Sequence, residues 1–390
     1  MDLDLTDEQK LLKDSVGGLL ARRYPDVVRT RAEMMREPGG FGAAGWQELA
    51  DQGLLALPFD EADGGLGQGS VEMMIVGEAI GRTLALEPYF ATVVLGGGIV
   101  RHAASAGQRE RLVPQIASGE LTLGLAFQER QSRFDLFDVA TTARPDGAGG
   151  YVLEGEKLVV LNGDSAGKLI VSARTSGDRR AKGGIGLFLV DAKAPGVSIR
   201  GYPTQDGRRA ADIALSSVKV ASGDALGDPA GGLAALERTA DEAIAFLAAE
   251  AVGCMECLHE ATVEYLKTRK QFGVAIGSFQ VLQHRSVDMF TALEQARSIT
   301  LYGTMMAAEE DPVERRRAMH AVKVQIGKSA RLIGQDAVQL HGGIGMTNEY
   351  KAGHYFKRLT MIELTFGNTD HHLRALARAG GLIEASKPAA

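Results

Sequence analysis

The chain has 390 residues, more than one ordinary core accommodates, so two or three domains are expected. Hydrophobic residues at 45% and charged residues at 24% give a globular profile. A net charge of −6 without any Lys/Arg-rich stretch excludes nucleic acid as a partner. No run approaches the roughly 18 apolar residues of a membrane span. The acidic start M-D-L-D-L-T-D-E-Q-K differs from a secretory or organellar leader, so a cytoplasmic protein is expected.

Residues 1–119 read as an all-helical domain. Thr6 and Gln9 stand at capping-box spacing, and Leu11, Leu12, Val16, Leu19 and Leu20 follow at helical intervals. The run Asp63-Gly64-Gly65-Leu66-Gly67 lacks the Lys and the preceding strand of a phosphate loop, so it reads as a connection between helices. Ser70 is placed to cap a helix over 71–82.

Between 120 and 226 the texture changes to short β-branched runs, at 151–153, 158–161, 169–171, 185–190 and 197–199, separated by Gly, Asp and Ser. This spacing predicts an antiparallel β-domain, a sandwich or barrel, with turns at 145–150 and 182–184. From 227 to 390 the chain is helical again, and stretches at 233–268, 281–308 and 318–340 are long enough for a helical bundle. The last five residues read as a frayed tail. The expected fold is α+β: a helical domain, an antiparallel β-domain and a C-terminal four-helix bundle.

Few residues suggest chemistry on their own. Cys254 and Cys257 form a C-x-x-C inside a helical pattern, without a second pair, and read as reduced core thiols. Asp370-His371-His372 lacks a third ligand and reads as a solvated helix start, not a metal site. His341 and His284 read as polar packing residues, and no Ser/His/Asp or Cys/His order points to a hydrolase.

Two segments carry a more specific signal. Residues 265–280 read Y-L-K-T-R-K-Q-F-G-V-A-I-G-S-F-Q, and 339–345 read Q-L-H-G-G-I-G. In order and separation they resemble the two C-terminal flavin-binding segments of the acyl-CoA dehydrogenase family, and the resemblance extends over essentially the whole chain. It implies FAD as cofactor, with contacts from Arg269, Gln271, Phe272, Phe279, Gln280, Gln339, Gly342 and Gly343. Arg269 would meet the pyrophosphate through bidentate, charge-assisted bonds. Gly342 and Gly343 would let backbone approach the adenosine arm. In this family both segments reach a flavin held by a neighbouring subunit.

The same resemblance exposes a mismatch. The family carries Glu-Gly-Thr, whose Glu removes the α-proton of the acyl thioester, but here 366–369 read Phe-Gly-Asn-Thr. An alternative base position falls on Ala243, beside Ile244 where a CoA-binding Arg is usual, leaving Glu242 as the nearest substitute. In the β-domain, Glu129 and Asp135 match the family pattern, whereas Phe134, Val159 and Leu161 replace the groups that line the flavin ring. The ring side is therefore expected to be apolar and filled. The chain is expected to be the small, base-lacking subunit of a heteromeric acyl-CoA dehydrogenase, partnered by a related large subunit, acyl-CoA and an electron-transfer flavoprotein. The alternatives are a homotetramer using Glu242, and a non-catalytic flavin or acyl-CoA binder.

Overall fold

A computed structural model of the chain describes residues 4–380, so the terminal tail predicted as frayed lies outside the described residues. The element order is α1 (Asp7–Arg23), α2 (Val27–Met34), α3 (Ala43–Asp51), α4 (Ser70–Thr83), α5 (Gly97–Ala103) and α6 (Ala106–Ala117). Then come β1 (Leu123–Ala126), β2 (Thr142–Pro145), β3 (Tyr151–Leu161), β4 (Lys168–Arg174), β5 (Ile185–Asp191), β6 (Val197–Pro203), β7 (Arg209–Val220) and β8 (Ala225–Leu226). The long helix α7 (Leu233–Thr268) leads into a ribbon of β9 (Lys270–Gln271) and β10 (Val274–Ala275). Last are α8 (Gln280–Ala307), α9 (Pro312–His341), α10 (Lys351–Leu364) and α11 (Thr369–Arg378). No helix among the described residues is long and apolar enough to cross a membrane.

The chain forms two compact units, one of the residues up to 32 with 70–85 and those from 244 onward, the other of 33–69 and 86–243. In the first, the α1 capping box is present: Gln9 N donates to Thr6 Oγ1 and Thr6 N to Gln9 Oε1. Asp7 and Glu8 in the first turn and Arg22 and Arg23 in the last complement the helix dipole. Val16, Leu19 and Leu20 are buried, but Leu11 is exposed, pointing about 100° around the helix from half-buried Leu12. Helix α4 begins at Ser70 itself, so Ser70 is its first residue and not its cap. Its Gly81 lies against α7 so closely that a Cβ would stand 2.0 Å from Glu250 O, and one on Gly253 would stand 2.1 Å from Glu78 O. Backbone-to-backbone approach of this kind excludes any side chain. Deeper in, Arg358 of α10 grips Glu250 of α7 through bonds of 2.8 and 2.6 Å, with both side chains buried. Cys254 and Cys257 are free thiols whose Sγ atoms donate to Gly81 O and Arg82 O, as core packing requires.

In the second unit the strands form one sheet in the order β6-β7-β3-β2-β4-β5-β8, with β1 beside β4. Most pairings are antiparallel, but β1 runs parallel to β4, with Leu123 opposite Lys168. Parallel strands need a crossover connection, and the stretch between those partners contains β2 and β3. Leu153, Val160, Leu169, Val171, Phe188, Ile213 and Val218 form the core of the sheet. Strand β5 is buried from Ile185 through Val190, which explains its unbroken apolar run. At the end of β4, the Arg174 guanidinium donates to Phe137 O, Val139 O, Arg179 O, Ala181 O and Gly183 O, tying two loops together.

Candidate functional site

The end of α7 is continued by one more bond, Arg269 N to Tyr265 O, before the chain reverses through the β9–β10 ribbon. The reversal places Phe272 at φ +54 and Gly273 at φ +82, two successive left-handed residues of the kind a tight hairpin needs. Glycine takes this conformation freely, but a Phe in it is strained by about 1–2 kcal/mol. Phe272 is also 93% exposed, an unusual cost for a bulky apolar ring without function. Its ring meets Phe279 edge-on at 6.2 Å. Arg269, Gln271 and Gln280 are exposed, and Gln271 Nε2 reaches only Lys270 O. Among the described residues the Arg269 side chain has no partner.

The second segment lies at the end of α9. Gln339 is exposed on its last turn, and Gly342 closes the helix at φ 62, ψ −141, a conformation reserved for glycine. A Cβ added at Gly342 or Gly343 would meet nothing within 4 Å, so the backbone there lies open. Aromatic packing brings the two segments together. The Tyr265 ring lies 4.6 Å from His341, which lies 4.8 Å from Tyr350. His341 Nδ1 donates to Ala337 O, so Nε2 accepts the Tyr350 hydroxyl at 3.1 Å. His341 is thus a packing residue between the segments, whereas His284 is exposed on α8. An unpartnered guanidinium, two exposed aromatic rings and open glycine backbone fit the planar and anionic arm of a dinucleotide.

The base positions look different. Between α10 and α11, Phe366 stands half-buried at φ +59 and Gly367 follows at φ +114. No carboxylate occupies this turn; the nearest in sequence, Glu363, accepts Thr369 N at 3.1 Å and pairs with Arg331. Ala243 and Ile244 are fully buried in α7. Glu242 is half-buried, and its oxygens meet Arg101 at 2.5 Å, His102 at 2.9 Å and Arg238 at 3.1 Å. Burial alone would raise this carboxyl, but His102, Arg101 and Arg238 outweigh it and hold it at about 2. A carboxylate so engaged is a poor proton acceptor.

The family-like acidic residues of the second unit are likewise spoken for. Glu129 is buried and accepts Lys157 Nζ at 2.7 Å, Ala140 N at 2.8 Å and Thr141 N at 3.0 Å. Lys157, fully buried, also donates to Ser172 Oγ, and was not legible as Glu129's partner from sequence. Asp135 pairs with Arg180. Phe134 and Leu161 are half-buried and offer no polar group. Val159 does not fill a pocket, as expected, but stands partly exposed at φ +52, where a bulge shifts the β3–β7 register. A β-branched residue at positive φ is a genuine outlier. Of the non-glycine residues with positive φ, Val159, Phe272 and Phe366 all occupy positions singled out from sequence. Backbone strain of this kind concentrates at functional sites.

The Asp370-His371-His372 start is only half as expected. Asp370 is exposed in the first turn of α11, but His372 is buried, 2.8 Å from His320 and 3.1 Å from Phe366 O. No group of three or more His, Cys, Asp or Glu side chains among the described residues is placed to hold a metal.

The family models described as the acyl-CoA dehydrogenase N-terminal, middle and C-terminal domains match residues 6–120, 124–219 and 230–381. The probable acyl-CoA dehydrogenase YngJ of Bacillus subtilis (strain 168) is 27% identical over 97% of this chain and 99% of its own length. The solved structure of a variant of the Tcur3481-Tcur3483 steroid ACAD superimposes with a TM-score of 0.83 at 29% identity, covering 95% of this chain and 98% of that one. The ChsE4-ChsE5 complex from Mycobacterium tuberculosis gives a TM-score of 0.86 at 25% identity, covering 100% of both chains.

Proposed function

This chain belongs to the acyl-CoA dehydrogenase family of FAD-dependent oxidoreductases acting on CH–CH bonds, and we propose that it is the small, base-lacking subunit of a heteromeric member. The observation that carries this reading is Phe366 in place of the catalytic Glu, with no carboxylate in its turn to replace it. Ala243 cannot accept a proton, and Glu242 is engaged by Arg101, His102 and Arg238. Removal of the α-proton needs a positioned base, and the partner, a related large subunit, would supply it. FAD, when bound, supplies acceptance of the hydride from the β-carbon.

The contribution of this chain would be to complete the partner's flavin site. Arg269 would pair with the pyrophosphate, Phe272 and Phe279 would cover the cofactor, and Gln271, Gln280 and Gln339 would donate to it. Gly342 and Gly343 would admit it against bare backbone. Two solved relatives with names joining two components, ChsE4-ChsE5 and Tcur3481-Tcur3483, support such a pairing. The assembly proposed is a cytoplasmic dimer of dimers with Arg269 at a subunit interface, passing electrons to an electron-transfer flavoprotein or a similar acceptor. The whole sequence resembles the small subunit of pimeloyl-CoA dehydrogenase, which would make the substrate a dicarboxylyl-CoA.

The test is the visible spectrum of the purified chain, alone and after co-expression with a related chain that carries Glu at the base position. The chain alone should hold little flavin and reduce dye negligibly with acyl-CoA, and both should appear with the partner. Phe366→Glu alone should restore nothing, since Leu161, Phe134 and Ile244 still lack polar groups. Stoichiometric flavin that bleaches with acyl-CoA in the lone chain would overturn the reading, and stable flavin that never bleaches would favour a binding protein.

A further inference from the structure

The turn that carries Phe366 is held by buried side chains for which the proposed reaction has no use. Lys323 of α9 is buried, and its Nζ donates to Ile362 O at 2.7 Å, Glu363 O at 3.0 Å and Thr365 O at 2.8 Å. As an ammonium group it satisfies carbonyls that the end of α10 leaves without helical partners, at the negative end of the helix dipole, and burial, partly offset by Glu363, lowers it to about 7. His372 of α11 adds a fourth tie, its Nε2 lying 3.1 Å from Phe366 O. A carbonyl only accepts, so Nε2 carries the proton. In neutral His372 the other nitrogen, Nδ1, is then an acceptor, and His320 Nδ1 donates to it across 2.8 Å. The imidazoles lie directly on the turn: a Cβ on Gly367 would stand 2.7 Å from His371 Cδ2 and 2.8 Å from His372 Nε2. Two successive positive φ values at Phe366 and Gly367 persist only where such surroundings over-determine them.

We propose that His372, oriented by His320 and flanked by Lys323, is the positioning residue that holds the Phe366 turn, and that acid uptake by the two histidines releases it. The charged and titratable groups around the pair are Arg316 and Lys323 on α9, His371 on α11 and Glu363 on α10. Only Glu363 is acidic, and it is engaged by Thr369 N and Arg331. The facing Nδ1 atoms share one proton, and two added protons would set hydrogen against hydrogen. Burial first, then Arg316 and His371, hold His320 at about 4; burial, then Lys323, His320 and His371, hold His372 at about 2. Both lie below the ordinary value, so the closed turn resists protons that an opened turn accepts. The histidine ties are therefore intact above about pH 6.5 and loosen as pH falls below it, each released histidine favouring opening on the order of 20-fold more at pH 5 than at pH 7. This goes beyond the proposed function and holds whether or not the chain binds flavin.

The experiment is amide hydrogen exchange of the full chain at pH 7 and pH 5, corrected for intrinsic rates, in peptides spanning 362–373 and in a control peptide of α7. Wild type should lose at least tenfold protection in the turn at pH 5 while α7 stays protected. His372→Gln keeps a donor for Phe366 O without a titrating group and should abolish the pH dependence, and His320→Gln should abolish or weaken it from the other side should the first variant fold poorly. An equal protection of the wild-type turn at both pH values, or an unchanged pH dependence in both variants, would overturn the proposal.

Discussion

At the ribbon after α7, polar and aromatic side chains face outward, whereas the acidic residues of the second unit are buried against cations of their own chain. Arg269 lacks a side-chain partner among the described residues and Phe272 is almost fully exposed. Glu129, by contrast, is buried and ion-paired with Lys157, and Glu242, half-buried, meets Arg101, His102 and Arg238. The difference separates two uses of the same chemistry. A group left without an internal partner remains available to a ligand or another chain, and a group saturated inside the fold serves stability.

The largest effect that sharpens this comparison should come from Lys157→Met. It leaves Glu129 buried without its cation, at a cost of about 3–5 kcal/mol in denaturant unfolding. A loss under about 1 kcal/mol would show that Glu129 is not committed to structure. Glu242→Gln comes next. The carboxyl of Glu242 is held at about 2, below its ordinary value, so the unfolded chain binds a proton before the folded chain does. The stability it contributes is complete above about pH 4.5 and is lost as pH falls toward 2. The variant should therefore lose about 2–3 kcal/mol at pH 7 and show a flatter acid limb. Dye reduction by the assembled complex should survive, and its loss would return Glu242 to the list of bases.

On the other side of the comparison, Arg269→Ala should weaken FAD retention in the assembled complex by about 1.5–3 kcal/mol, the range for bonds to charged groups. Arg269→Lys should recover only part of this because the fork geometry is lost. Unchanged flavin content in the Ala variant would remove Arg269 from the site. The smallest stability effect belongs to Phe272→Ser, within about 0.5 kcal/mol for the lone chain, as for exposed positions generally. Flavin retention in the complex should nonetheless fall, and a clear drop in the melting temperature of the lone chain would show that Phe272 has an internal role.

Local pattern settled much of the fold in advance. The Thr6–Gln9 box, the helix over 233–268, the turn composition at 182–184 and the C-x-x-C inside α7 were legible because each depends on neighbours within one or two turns. The two segments that resemble the family's flavin-binding runs were legible for the same reason, since R-K-Q-F-G and Q-L-H-G-G are contiguous. Tertiary structure alone decided which partner each buried charge takes. Lys157 meets Glu129 across 28 residues, Arg358 meets Glu250 across 108, and Lys323 meets the end of α10 across about 40. No periodicity encodes such pairings, because they depend on how elements pack and not on how the chain runs. The same holds for His372, read from sequence as solvated yet buried against His320, and for Glu242, which the fold binds to Arg101, His102 and Arg238. The sequence by itself determined that a Phe, and not a carboxylate, stands at position 366. That Glu242 is engaged by Arg101, His102 and Arg238 followed only from the packing, which decides whether a charge is desolvated, paired or free.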